Sequence, residues 1–185
     1  MAKKKTVYVI AALAVIAVLV VAGVMLFGGK DGVSSEVKES KRIDVSIKTD
    51  KGEIVMELRH DLMPETVENF VKLADKSFFN GLVFHRVEDW LVQTGDPTGT
   101  GSGGSRDRIK FEHTPEISNV RGSVGMARLS GDKDSASSQF YIVKADQPSI
   151  DGDYAMFATV TKGMDVVDKI EQGDKMTEVK VIGIR

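Results

Sequence analysis

Few side chains in this sequence are spaced for the usual kinds of catalysis. None of the 185 residues is a cysteine, which removes thiol nucleophiles, thiolate zinc sites, disulfides and a lipid-modified cysteine. The three histidines, His60, His85 and His113, stand apart and match no metal-ligand spacing. Serines are plentiful, but none sits in a G-x-S-x-G elbow, so a hydrolase triad has no frame. Gly99, Gly101, Gly103 and Gly104 suggest a phosphate cradle, yet no Gly-Lys-Ser/Thr follows and no apolar helix opens there. They read as a loop that needs backbone freedom. Asp132 and Asp134 flank Lys133 without the twelve-residue frame of a calcium loop. What remains is one arginine in unusual company. Phe84-His85-Arg86 is followed closely by Trp90, Leu91 and Gln93, and later come Met126-Ala127-Arg128 and Ser138-Gln139-Phe140-Tyr141. Taken singly, the apolar members read as core and an arginine as a solvated charge.

The elements that must position these residues are mostly short strands. Ile43–Ile47 alternates apolar and polar, Ile54–Leu58 does so less strictly, and Thr49-Asp50-Lys51-Gly52 supplies turn chemistry between them, which predicts a hairpin. Pro64 opens a helix where its missing N–H costs nothing. Val67, Phe70, Val71 and Ala74 fall at helical spacing and make one apolar face. Further strands are expected around 82–87, 91–93, 123–127, 139–143, 155–160 and 178–184, with a short helix over 164–170. Many short strands with two helices imply a mainly β domain, either a closed antiparallel barrel or a sandwich. Residues 96–108 are too rich in Gly and Ser for either element and read as a long surface loop.

Charge and hydropathy divide the chain. Residues 1–42 carry 7 Lys/Arg against 3 Asp/Glu, and residues 43–185 carry 18 against 24. A domain with that acidic balance is a poor nucleic-acid binder, because affinity for phosphate backbones comes from clustered Lys and Arg. Lys3, Lys4 and Lys5 form a basic N-terminus (1–6) ahead of an uncharged apolar run, Val7–Phe27. As a helix those 21 residues would span about 31 Å, close to the hydrocarbon thickness of a bilayer. The run exceeds the roughly 7–15 apolar residues of a cleaved signal peptide and ends without a clear A-x-A site. It reads as an uncleaved signal anchor with the N-terminus cytoplasmic and the domain extracytoplasmic; secretion after cleavage is the alternative. Residues 28–42 are polar and aperiodic and read as a flexible linker to a domain spanning 43–185.

Four ordered segments, FHRVEDWLVQTGD, GSVGMAR, SASSQFYIV and QPSIDGDYAMFATVTKGMDVVDKI, resemble the successive signatures of the cyclophilins, and the ETVENFVKLA helix is similar too. The resemblance covers the whole of 43–185 and includes the features of a membrane-anchored microbial member. It implies a closed eight-stranded antiparallel barrel capped by two helices, with a substrate groove on one outer face. It implies peptidyl-prolyl cis-trans isomerase activity on proline-containing polypeptides, with no cofactor and no metal. Arg86 then matches the catalytic arginine and Gln93 the glutamine that holds the substrate backbone. Phe84, Trp90, Leu91, Met126, Ala127, Arg128, Gln139, Tyr141, Ile150 and Tyr154 fall on substrate-binding positions. Tyr141 stands where the pocket usually has Phe, and Tyr154 replaces a His, as in similar microbial sequences. Ser149 replaces a Trp associated with cyclosporin, so weak cyclosporin binding is expected. A monomeric domain is expected, and a proline-peptide-binding or chaperone module without turnover is the alternative function.

Overall fold

In the computed structural model, which describes residues 34–185, the alternation that begins at Ile43 becomes a hairpin. Strand β1 (Ile43–Thr49) pairs antiparallel with β2 (Gly52–Leu58), and Thr49 opposite Gly52 closes the turn. Helix α2 (Pro64–Asp75) follows, and its N-terminus takes no cap from its own preceding residue. Instead the distant Glu112 carboxylate accepts from the N–H groups of Glu65 and Thr66, at 3.0 and 2.7 Å, and from the Thr66 hydroxyl. A negative charge on those free donors is favourable both as a hydrogen bond and against the helix dipole. The stripe Val67, Phe70, Val71 and Ala74 is buried as its spacing predicts. Phe70 stacks on Phe79 with ring centres 4.8 Å apart and meets the Phe140 ring edge-on at 5.3 Å, which ties the helix to the sheet.

The sheet continues through β3 (Arg86–Val87), β4 (Leu91–Thr94), β5 (Ser123–Met126), β6 (Phe140–Val143), β7 (Met156–Lys162) and β8 (Met176–Ile184). Its order is β3-β4-β6-β5-β7-β2-β1-β8, antiparallel throughout. The closed barrel expected from the sequence is not formed. The fold is an open half-barrel whose end strands, β3 and β8, share no ladder. One isolated bridge, Val83 with Lys175, joins the segments leading into them. The cause lies in the expected strand 82–87, of which only Arg86–Val87 pairs in a ladder. Ahead of it Phe84 turns inward to full burial, and residues 81–84 meet 173–176 only through the bonds of that bridge and its neighbours: Phe84 N–H to Asp174, Met176 N–H to Leu82, Gly81 N–H to Met176 and Gly173 N–H to Phe84. Helix α3 (Met164–Val167) is shorter than expected, with turns carrying the chain on to Ile170.

The linker expected over 28–42 is ordered in its described part. Ser35–Glu39 forms a short helix, α1, with Val37 fully buried. Beyond it the backbone N–H groups of Lys41 and Arg42 both donate to the Arg185 carbonyl, so the compact unit begins at Ser35 rather than Ile43. A single buried residue leaves no periodicity to read, which is why the segment looks like a tether in sequence. The apolar run Val7–Phe27 lies outside the described residues. Among the described residues no helix is long and apolar enough to cross a membrane.

Candidate active site

Strand alternation assembles one face of the sheet into a site. Across the β4–β6 ladder Leu91 opposes Val143 and Gln93 opposes Tyr141, while on the other side Gln93 opposes Arg86 of β3. Successive side chains on a strand face opposite ways. Phe140 therefore packs into the helix-side core against Phe70, and its neighbour Tyr141 joins a separate cluster with Leu91, Ile117, Val143 and Met156. Trp90 and Tyr154 lean on that cluster from the solvent side. Gly125 on β5 makes room for it. A Cβ there would lie 2.7 Å from the Tyr141 ring and 2.5 Å from the Met156 sulfur, closer than real Cβ contacts come.

The result is a cavity of about 160 Å³ lined by Arg86, Trp90, Leu91, Gln93, Ala127, Arg128, Tyr141 and Tyr154. An engineered apolar cavity of about 150 Å³ takes a benzene molecule, so a five-membered proline ring fits this one. Its walls are braced by ring contacts. Trp90 and Tyr154 meet Tyr141 edge-on at 6.1 and 5.7 Å, and the Arg128 guanidinium lies 4.9 Å from the centre of the Tyr154 ring. The Tyr141 hydroxyl donates to Asn119 Oδ1 at 2.7 Å. Burial, with Tyr154 and Asp151 adding to it, pushes that phenol well above its usual range. The hydroxyl is thus spent on buried structure, and the ring serves as a wall of the cavity.

A chain of hydrogen bonds runs along the polar rim. Arg86 Nη1 donates to Gln93 Oε1 at 3.1 Å, and Gln93 Nε2 donates to Gln139 Oε1 at 2.8 Å. Gln139 Nε2 donates in turn to the carbonyls of Gly101 and Gly103, at 2.9 and 2.7 Å. The glycine-rich loop carrying those carbonyls folds around Asp96, whose carboxylate accepts from Thr98, Thr100, Gly101 and Gly103. Burial opposes the charge there, but the Thr98 N–H and hydroxyl and the Gly103 and Gly101 N–H groups outweigh it and hold the carboxyl at about 2. On the other side of Arg86, Glu88 accepts from its Nε at 2.7 Å and from Trp90 Nε1 at 2.9 Å. The Glu88 carboxyl lies below its usual range, chiefly through the Arg86 hydrogen bond. Burial pushes the neighbouring His85 imidazole down, which keeps a second positive charge away from Arg86.

Eight of the twelve residues singled out in the sequence therefore converge on one cavity, and Gln139 lines a second cavity beside it. The other three do not. Phe84 is fully buried in the core and Met126 is 1% exposed, its N–H bonded to the Ala155 carbonyl. Met126 opposes Phe140 in the β5–β6 ladder, so alternation turns it away from Tyr141's face. Ile150 sits half-buried in a 3-10 turn, Pro148–Ile150, and borders neither cavity. Sequence reasoning missed Glu88, Asp96, Asn119 and Gly125. Only Glu88 left a signal, an acid two places beyond Arg86 and two before Trp90.

A model of the family described as cyclophilin type peptidyl-prolyl cis-trans isomerase/CLD matches residues 43–184. A peptidyl-prolyl cis-trans isomerase of Helicobacter pylori (strain 26695) is 43% identical over 152 residues, covering 78% of this chain and 91% of that protein. Peptidyl-prolyl cis-trans isomerase B of Bacillus subtilis is 41% identical over 140 residues, 72% of this chain and 94% of the relative. A Cryptosporidium parvum cyclophilin crystallised in the presence of the dipeptide Ala-Pro superposes with a TM-score of 0.70 at 26% identity, covering 76% of this chain and 99% of that one. The open β half-barrel is the fold this chain shares with the Cryptosporidium protein. The chain belongs to the cyclophilin-type peptidyl-prolyl cis-trans isomerases, and its enzymatic class is theirs.

Proposed function

We propose that the cavity holds a substrate proline ring while Arg86 stabilises the twisted X-Pro bond. Resonance gives a peptide bond a rotational barrier of about 18–20 kcal/mol, and uncatalysed X-Pro exchange takes tens to hundreds of seconds. In the twisted state the prolyl nitrogen loses conjugation and gains a lone pair. A guanidinium donating to that nitrogen binds the transition state better than either ground state, and each 1.36 kcal/mol of that difference is tenfold in rate. Gln93 restrains the substrate backbone, and no proton is transferred. The observation that carries this reading is the Arg86–Gln93 pair on the rim of a cavity of proline's size that is walled by Trp90, Leu91, Tyr141 and Tyr154. The Ala-Pro dipeptide present with the Cryptosporidium relative is a substrate fragment of the same chemistry. The test is a protease-coupled assay on a short Ala-Pro peptide. Arg86→Ala should lose most of the rate while keeping its thermal transition, and wild-type turnover by that variant would end the arginine mechanism.

The location we propose is the outer face of a membrane, with Val7–Phe27 as an uncleaved anchor and the N-terminal lysines inside. Full-length protein should then stay in membranes through an alkaline wash, and recovery of soluble mature protein lacking residues 1–30 would sink the anchor. Cyclosporin should inhibit weakly, because the exposed Ser149 offers a short hydroxyl where an indole would pack. Ser149→Trp should tighten inhibition about tenfold, a gain of about 1.4 kcal/mol.

A further inference from the structure

Beside the proline cavity lies a larger one, of about 270 Å³, with Gln93, Ala127 and Arg128 as shared walls. Its character differs. Three arginines, Arg106, Arg108 and Arg128, line it, and no carboxylate does. Among the described residues Arg106 has no hydrogen bond or ion pair, and Arg108 has one exposed partner, Asp132, at 3.3 Å. Arg128 spends its donors on the carbonyls of Asp153 and Leu129, which are neutral, so its charge is unpaired. The acids nearby are engaged elsewhere: Asp107 with Lys72, Asp153 with Lys133, and Asp134 with the Phe111 N–H. Free hydroxyls of Ser102 and Ser137 add neutral donors to the lining. Gly104 keeps the floor open, since a Cβ there would come within 2.4 Å of the Ser137 hydroxyl. Concentrated positive charge is out of character for a domain with 18 basic and 24 acidic residues over 43–185.

We infer that this cavity selects an anionic side chain, a carboxylate or a phosphate monoester, on a residue flanking the substrate proline. The inference rests on the proline-binding reading above, because the shared walls fix which cavity a flanking residue reaches. Residues i and i+2 of an extended peptide lie about 7 Å apart on one face, so a ring in the first cavity brings a nearby side chain to the second. Guanidinium forks match carboxylate and phosphate oxygens with two parallel hydrogen bonds. A cationic concavity also raises the encounter rate of acidic peptides in a salt-dependent way.

The test uses short peptides of one sequence with Ala, Gln, Lys, Glu or phosphoserine placed in turn on each side of the proline. Turnover is followed together with fluorescence of Trp90, the single tryptophan of the chain and a wall of the proline cavity. Glu or phosphoserine at one flanking position should raise kcat/KM, and tighten binding, about threefold to tenfold over Gln. Raising the salt to 0.5 M should remove most of that gain. The double variant Arg106→Gln/Arg108→Gln should erase it while turning over the Ala peptide as wild type does. A phosphoserine gain without a Glu gain assigns the cavity to phosphorylated substrates, and the reverse assigns it to acidic ones. Equal binding of Glu, phosphoserine and Gln peptides at both positions would overturn the inference, as would a preference that survives the double variant. If the Ala peptide binds but is not turned over, the catalytic reading fails, and the fluorescence titrations still decide the charge preference.

Discussion

Replacing Asp96 by Asn should weaken the fold and the catalyst together. The carboxylate is 1% exposed and accepts five hydrogen bonds, from the N–H groups of Thr98, Thr100, Gly101 and Gly103 and from the Thr98 hydroxyl. Those donors hold it at about 2 against the usual 3.8, and at 1.36 kcal/mol for each tenfold change in proton affinity this is about 2 kcal/mol of stability. Because the folded value is the lower one, that stability is present above about pH 4 and is lost as the pH falls toward 2. Asn turns one acceptor into a donor facing other donors, so the loss at neutral pH should be about 2–4 kcal/mol. For a domain of this size the melting temperature should drop by about 5–15 °C. The same loop presents the Gly101 and Gly103 carbonyls that hold Gln139, which holds Gln93, which holds Arg86. The folded fraction of Asp96→Asn should therefore show kcat/KM lowered about tenfold, with kcat carrying most of the change. Urea unfolding between pH 2 and 7, paired with the peptide assay, reads both effects. A variant with wild-type stability at pH 7 and an unchanged acid limb would refute the reasoning.

Two further perturbations separate positioning from packing. Glu88→Ala removes the acceptor shared by Arg86 and Trp90; because the pair is exposed, stability should change by less than about 1 kcal/mol while kcat/KM falls about threefold to tenfold, and Glu88→Gln should recover part of it. Tyr141→Phe should do the opposite, leaving turnover within about twofold but costing about 1–3 kcal/mol in urea unfolding, since the buried Asn119 oxygen loses its donor.

What could be read in the sequence follows from how local each feature is. The alternation of Ile43–Ile47 and the Val67–Ala74 stripe name their own partners' faces, and both are realised. Closure of the sheet is not local. It depends on how far the segment before Arg86 pairs with the one leading into β8. There the two meet in a single bridge, Val83 with Lys175, held by the bonds Phe84 and Leu82 make to Asp174 and Met176, without growing into a ladder. The Ser35–Glu39 helix is invisible for a different reason, being too short to repeat its one buried residue, Val37.

The site divides in the same way. Arg86, Trp90, Leu91 and Gln93 are close in the chain and land together because one tight hairpin, β3 to β4, carries them all. Met126 and Ala127 are equally close, yet only Ala127 reaches the cavity, since the partner strand sets which of two adjacent residues faces it. The groups that stiffen the arginine rim come from farther off, or from residue types that look ordinary. Asp96 looks like a turn acid and Gly101 like a loop spacer until the loop folds back on the carboxylate. That fold also sets Arg106 and Arg108 across from Arg128, some twenty residues later, turning three separate surface charges into one lined cavity. Neither composition nor periodicity contains that distance. If the loop is what holds the charges there, then Asp96→Asn should weaken the binding of a Glu-bearing peptide more than that of its Gln counterpart, and an equal loss for both would show that the loop supports only the proline cavity.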